Sequence, residues 1–136
     1  RKELLFVIAI NYYEKALSNF KAAKIIFKVA AIDEEQLNFV AYHLQQSLEL
    51  AIKHILAING SPVQQTHDID QLINYAKSNK IDLYLTDYLR DRSDVVSTWE
   101  SKTRYVLGFS VEVSKLEKTI EEFDKYFLIL SKKLNY

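Results

Sequence analysis

Helix breakers and crosslinks are what this 136-residue sequence most lacks. It contains no cysteine, which excludes disulfides, thiolate catalysis and cysteine-ligated metal sites. Only two glycines and one proline are present. So few helix breakers, combined with long segments of 3.6-residue apolar periodicity, are typical of an all-α protein.

Net charge and long apolar runs are lacking as well. The formal net charge is zero, which removes the long-range attraction expected of a general nucleic-acid or membrane-surface binder. The longest apolar run, residues 4–10, is far shorter than the ~20 residues of a membrane span. No small-residue cleavage pattern follows it, so we interpret it as part of a core helix rather than a signal peptide, and we expect no membrane association.

The remaining composition is ordinary for a globular protein, with 49% hydrophobic and 26% charged residues. This length suits one domain with a real core, so we expect residues 1–136 to form a single helical domain. The absence of cysteine fits a reducing compartment, and we expect a cytoplasmic protein. Because the chain begins with Arg1 rather than Met, we expect that it has been trimmed.

Apolar periodicity predicts three long helices. The first spans about Lys2 to Ala30, and the second follows a capping Asp33 and ends at Asn59-Gly60. The last has the most regular alternation, from Phe109 to Leu134, which favours packing against a helical partner.

Two short helices are predicted between them, one capped by Asp68 and one beginning near Asp82 and continuing to Val96. Residues 101–110 then form a linker that runs into the start of the last helix. The predicted fold is therefore an all-α, antiparallel up-and-down bundle of three long and two short helices.

The three histidines predict no metal site. His43 and His54 share a helix face, but eleven residues of helix separate them by about 16 Å, too far for one ion. We interpret both as partly exposed bundle residues, and we expect no metal and no cofactor. His67 precedes a helix start, where its imidazole either supports the loop through a backbone hydrogen bond or contacts a ligand. Neither Gly60 nor Gly108 belongs to a phosphate-binding glycine loop.

Basic residues cluster in the segments "RDRSD" and "SKTR", interleaved with carboxylates. Such mixed runs are usually exposed ion pairs that contribute little to stability. The alternative is that an arginine at one end of the bundle binds phosphate. The basic members are Arg90, Arg92, Lys102 and Arg104, and the acidic ones are Asp91, Asp94 and Glu100.

Taken together, the sequence resembles the HEPN domain family (higher eukaryotes and prokaryotes nucleotide-binding) over almost its whole length. Four segments carry the resemblance: "YYEKALSNFKAAKIIF", "FVAYHLQQSLELAIKHIL" with its basic Lys53, "NGSPVQQTHDIDQLI", and "TRYVLGF" before the last helix. The glycine, proline and Thr-His-Asp pattern of the third segment is the most specific.

The resemblance implies a helical bundle that is usually dimeric. Many members are ribonucleases with an Arg-x(4–6)-His motif, and others are non-catalytic partners of a small nucleotidyltransferase in toxin–antitoxin pairs or are proposed to bind nucleotides. Here no arginine is followed by a histidine at that spacing, and after Arg104 the positions hold Phe109, Ser110 and Val111. Histidine suits acid–base catalysis near neutral pH, so the absence of the motif's histidine weighs against family-type ribonuclease activity.

Three hypotheses follow. The preferred one is a dimeric, non-catalytic HEPN-like module that binds a nucleotide-like ligand or RNA, or regulates a nucleotidyltransferase. The second is a ribonuclease with a degenerate site that uses Arg104, and the third is a purely structural oligomerisation bundle. The resemblance makes Arg104 and Tyr105 the principal candidates for ligand binding, and His67, Asp68 and Lys53 are secondary ones.

Overall fold

The computed structural model describes residues 2–29 and 33–136, and within these ranges it is all-α, without strands. The bundle class predicted from the sequence is confirmed. Ala30, the predicted end of the first helix, lies outside the described residues. The helices are α1 (Lys2–Val29), α2 (Glu34–Ile58), α3 (Ile69–Ser78), α4 (Asp87–Asp91), α5 (Ser93–Val96), α6 (Trp99–Tyr105) and α7 (Val113–Lys133).

Local capping chemistry sets the ends of the middle helices. Asp33 accepts a hydrogen bond from Glu35 N at 3.0 Å, and Asp68 accepts one from Asp70 N at 2.9 Å. α2 stops at Ile58, where Gly60 adopts φ of +80°, a left-handed conformation that side-chain-bearing residues avoid. These predicted boundaries are confirmed.

The three long helices form the body of the bundle. α1 runs antiparallel to α2, because a later residue of α1 contacts an earlier residue of α2. Asn19 contacts His43, whereas Ala9 contacts His54. α7 also runs antiparallel to α1, from Lys24 opposite Asp124 to Tyr13 against Tyr136. The short helices α3 to α6 lie between α2 and α7 in the sequence and close one side of the core.

The region after α3 differs from the prediction of one short helix and a linker. It contains three helical segments, α4, α5 and α6, and the last carries Arg104-Tyr105 in its final turn. The break between α4 and α5 has a side-chain cause. Ser93 Oγ donates to Asp70 Oδ1 at 2.7 Å and also lies 3.1 Å from Arg90 O, which gives the backbone an alternative to continuous helix.

The last helix begins four residues later than predicted, at Val113 rather than Phe109. Gly108 has φ of +77°, which interrupts a helical path at that point. Phe109 still packs against the core, and its carbonyl accepts a hydrogen bond from Asn38 Nδ2 at 3.1 Å. Its apolar character therefore reflects packing of the loop, which periodicity cannot distinguish from helix.

The interpretation of His54 as partly exposed is wrong. It is buried, its Nδ1 donates to Ala9 O at 2.6 Å, and its Nε2 accepts from the Tyr136 hydroxyl at 2.7 Å. Burial lowers the pKa of His54 below its ordinary value.

In the described ranges, no helix is both long enough and apolar enough to cross a membrane.

Candidate functional site

Helix α6 places Arg104 beside the middle of α2. The buried Trp99 anchors the start of α6 in the core. Two neighbouring glutamines of α2 hold the next residue: Gln45 Oε1 accepts from Glu100 N, and Gln46 Nε2 donates to Glu100 Oε2 at 3.0 Å. The Gln-Gln pair of the second segment therefore fixes the helix that carries Arg104.

Arg104 is held but remains accessible. Its Nη1 donates to Glu100 Oε1 at 3.1 Å, its guanidinium carbon lies 5.3 Å from the centre of the Tyr105 ring, and its side chain is 55% exposed. Tyr105 is 75% exposed. Because a guanidinium has five N–H donors and Glu100 engages one, Arg104 can also bind an incoming anion.

On one side of Arg104 lies an open cleft of about 660 Å³, which we call the acidic cleft. His67, Asp68, Arg104 and Tyr105, four of the five sequence candidates, line it together. Four carboxylates face one guanidinium and one imidazole there, so the lining carries net negative charge with a neutral histidine. Its charged residues are His67, Asp68, Asp70, Asp94, Glu100 and Arg104.

Two of these carboxylates also have structural roles. Asp68 caps α3 and accepts a further hydrogen bond from Ser97 Oγ at 3.4 Å, while Asp70 accepts from Ser93. The Asp68 capping role expected from the sequence is confirmed. Both groups therefore help to shape the cleft.

The His67 imidazole hydrogen-bonds to a buried carboxylate. The loop-supporting interpretation expected a hydrogen bond to backbone instead. Glu49, 2% exposed, lies within 3.0 Å of both His67 Nδ1 and Lys53 Nζ through the same oxygen, Oε2. The His67 side chain itself is largely exposed. Lys53 is buried with Glu49 and does not line the cleft. Glu49 thus connects the two candidates, which sequence spacing could not show.

On the other side of Arg104 lies a second cleft, of about 470 Å³, which we call the aromatic cleft. One face of α2 supplies most of it, at the i, i+3, i+4 and i+7 positions of a helix. Asn38 donates through Nδ2 to Phe109 O, while its Oδ1 is buried without a partner among the described residues. The lining residues are Glu35, Asn38, Phe39, Tyr42, His43, Thr103 and Arg104.

The sequence reasoning missed the aromatic cleft. His43 is half-buried, in agreement with its interpretation as a partly exposed bundle residue, and its Nδ1 donates to Asn19 Oδ1 at 2.8 Å. Desolvation lowers the pKa of His43, which favours the neutral imidazole. The available signal was Phe39, an aromatic residue outside the apolar stripe of α2 and 47% exposed in the structure.

The protein is thus an all-α helical bundle in which two clefts meet at an exposed arginine. The HEPN domain family model matches residues 10–132, nearly the whole chain, and the chain therefore belongs to the HEPN domain family. Comparison with curated proteins and with solved structures gave no match. Membership supports a nucleotide-binding or ribonuclease-like module in general. Among the residues described, no three histidine or acidic side chains are grouped as metal ligands would be.

Proposed function

We propose that this protein is a non-catalytic HEPN module that binds a nucleotide-like ligand at Arg104. The observation that carries the proposal is the position of this accessible guanidinium on the ridge between two clefts. The chain also lacks the Arg-x(4–6)-His motif of the family's ribonucleases. Binding without cleavage needs the arginine, which is present, and not the histidine of the motif.

The charge of the acidic cleft narrows the ligand class. A guanidinium binds phosphate oxygens well, frequently through two parallel hydrogen bonds. Carboxylates repel further phosphates but accept hydrogen bonds from ribose hydroxyls, as acidic residues do in dinucleotide sites. Asp70 and Asp94 can play that part, and the exposed Tyr105 ring can pack against the sugar. We therefore expect a nucleoside monophosphate, or one nucleotide of an RNA strand, to bind more tightly than a triphosphate.

Isothermal titration of the purified protein with AMP, ATP and a short RNA tests this proposal. Arg104→Ala should weaken AMP binding about tenfold or more, the usual consequence of losing a charge-assisted hydrogen bond. Arg92→Ala is a matched control, since Arg92 also lies over a tyrosine ring, at 4.9 Å from Tyr88, but outside both clefts. Equal AMP affinity in the wild type and Arg104→Ala would contradict the proposal.

One observation favours the second candidate, a ribonuclease with a degenerate site. His67 and Arg104 line the same cleft, and the contact of Glu49 with Nδ1 of His67 fixes the orientation of the imidazole. Cleavage of structured or unstructured RNA that is lost in both His67→Ala and Arg104→Ala would establish this function and refute the non-catalytic one. Cleavage that is unchanged in both variants would be contamination.

For the partner we propose a second copy of the chain, supported by the exposed face of α1. Apolar and charged residues recur there at spacings of three and four, as in a coiled-coil seam. The one acidic residue of this face lies in its first half and the two basic residues lie in its second, so an antiparallel copy would complement it. The face comprises Val7, Ile10, Glu14, Leu17, Lys21, Ile25 and Lys28, with Leu17 at its centre.

Light scattering with size-exclusion chromatography tests this dimer. Leu17→Glu should give a monomer, because it places like charges at the centre of the seam. Glu14→Lys alone should weaken the dimer, and Glu14→Lys combined with Lys21→Glu should restore it. A monomeric wild type would leave the face to a nucleotidyltransferase partner of toxin–antitoxin type, testable by co-purification. A dimer that binds no nucleotide would support the purely structural hypothesis.

A further inference from the structure

We propose that the aromatic cleft is a nucleobase subsite that selects bases carrying an exocyclic amino group. This inference rests on the proposed nucleotide function and assigns the base to a cleft that the sequence did not reveal. Asn38 is the selecting residue, Phe39 and Tyr42 provide apolar ring surface, and Arg104 stands at the edge shared with the acidic cleft.

The cleft has the composition of a base site. Bases bind proteins chiefly by stacking on aromatic rings and by hydrogen bonds along their polar edges. Phe39 and Tyr42 are three residues apart on one face of α2, and both retain solvent-accessible surface. Across from them, Thr103 and Arg104 of α6 form the opposite wall. Only Glu35 and Arg104 carry full charges in this lining, and they are of opposite sign, so the lining has no net charge with a neutral His43.

Asn38 fixes what kind of polar edge fits. Its Nδ2 donates to Phe109 O at 3.1 Å, which settles the orientation of the amide and leaves Oδ1 as an acceptor. Oδ1 is buried and has no partner in the described part of the chain. A buried acceptor without a donor is unfavourable, and an amino group of a ligand removes that penalty. A keto oxygen at the same place would repel it.

Access to Oδ1 requires a side chain at the rim to move, since this atom is not reached by solvent in the structure. Arg104 and Phe39 are both substantially exposed and can rotate without disturbing the core. A phosphate that draws the guanidinium towards the acidic cleft would open the aromatic cleft to the attached base. The two clefts then hold two parts of one nucleotide.

Matched nucleotide pairs test the selection. AMP and IMP differ by an amino group in place of a keto oxygen and by the proton that the adjacent ring nitrogen carries in the keto form, and CMP and UMP differ in the same way. The wild type should bind the amino member of each pair about five- to tenfold more tightly, as expected for one buried hydrogen bond. Asn38→Leu should abolish this preference. Asn38→Asp, which keeps an acceptor and loses the donor to Phe109, should retain it.

Phe39→Ala should weaken all four nucleotides by a similar factor, because stacking does not depend on base identity. Phe6→Ala, which removes an exposed phenylalanine from α1, is its control. The side-chain amide signals of Asn38 in NMR spectra should shift with AMP and much less with IMP, which tests the wild type even if Asn38→Leu fails to fold.

The outcomes separate the two proposals. Nucleotide binding that depends on Arg104 but is equal within each pair would overturn the base subsite and leave the proposed function intact. Preference for the keto members would overturn it in the same way. Failure of the wild type to bind any nucleotide would overturn both.

Discussion

The two clefts beside Arg104 differ in how the chain builds them. The acidic cleft is made from loop and helix-end residues, several of which also cap or tie helices, such as Asp68 and Asp70. The aromatic cleft is made from one face of a single long helix, closed by α6 and the loop at Phe109. Local polar patterns therefore reveal the first cleft, whereas the second exists only after distant segments have packed.

They also differ in electrostatics. The lining of the acidic cleft combines Arg104 with four carboxylates, whereas the lining of the aromatic cleft combines the same arginine with Glu35 alone. Beside the acidic cleft lies the buried ion pair of Glu49 and Lys53, which His67 of the cleft lining contacts through Glu49, while the aromatic cleft has a half-buried histidine whose pKa is lowered. The two clefts thus present environments of different charge to the charged part and the uncharged part of one ligand. Four changes test this contrast, in order of decreasing effect.

The largest effect is expected from destabilising α6, the helix that contributes residues to both clefts. Trp99→Ala takes a buried indole from the start of α6 and should cost about 3–5 kcal/mol of unfolding free energy. Urea unfolding measures it, and AMP binding should weaken as α6 loosens. Val95→Ala, an exposed neighbour, should change stability little. Equal effects of the two substitutions would mean that Trp99 does not anchor α6.

The next change addresses the buried charges under the acidic cleft alone. Glu49→Ala leaves the Lys53 ammonium buried without its carboxylate, which should cost about 3 kcal/mol. Asp124→Ala, which removes the exposed pair with Lys24, should cost less than about 1 kcal/mol. Urea unfolding of both variants compares them. Similar losses would show that the Glu49 network contributes no more than a surface pair.

Much of the fold was predictable because its signals are local. Asp33, Asp68 and Gly60 mark helix ends through bonds or backbone angles within a few residues. The division of α4 from α5 depends on Ser93 meeting Asp70, and the aromatic cleft depends on Asn38 meeting Phe109, which lies 71 residues away. The periodicity of apolar residues does not show which distant residues will come into contact. The same reason explains why the Glu49 contact with His67 was missed.

A smaller effect is expected from pH. Burial lowers the pKa of His43 and of His54 in the folded state, so protons bind more readily to the unfolded chain. Well above pH 6.5 neither imidazole is protonated in either state, and stability does not depend on its titration. As the pH falls through 6.5 towards the folded pKa values, stability should decline.

Urea midpoints at pH 7.5 and 5.5 measure this decline, and His54→Gln should reduce it. Proton NMR should show His43 titrating below pH 6.5. A stability that rises on acidification, or a His43 pKa above its ordinary value, would contradict a desolvated imidazole in the aromatic cleft. The result bears on the base subsite, since a neutral His43 adds no charge there.

The smallest effect on stability, and the sharpest separation of the clefts, is expected from Glu100→Gln. The pair of Glu100 and Arg104 is partly exposed, so its loss should change unfolding free energy by less than about 1 kcal/mol. Removing one carboxylate beside Arg104 should tighten AMP binding up to about fivefold, and ATP binding more, because ATP carries more negative charge. The preference for AMP over IMP should not change, since that is set in the aromatic cleft.

Glu117→Gln, an exposed change on α7, is the charge-matched control. Weaker AMP binding in Glu100→Gln would show that Glu100 positions Arg104 for the phosphate, and a changed AMP to IMP ratio would show that the two clefts are not independent.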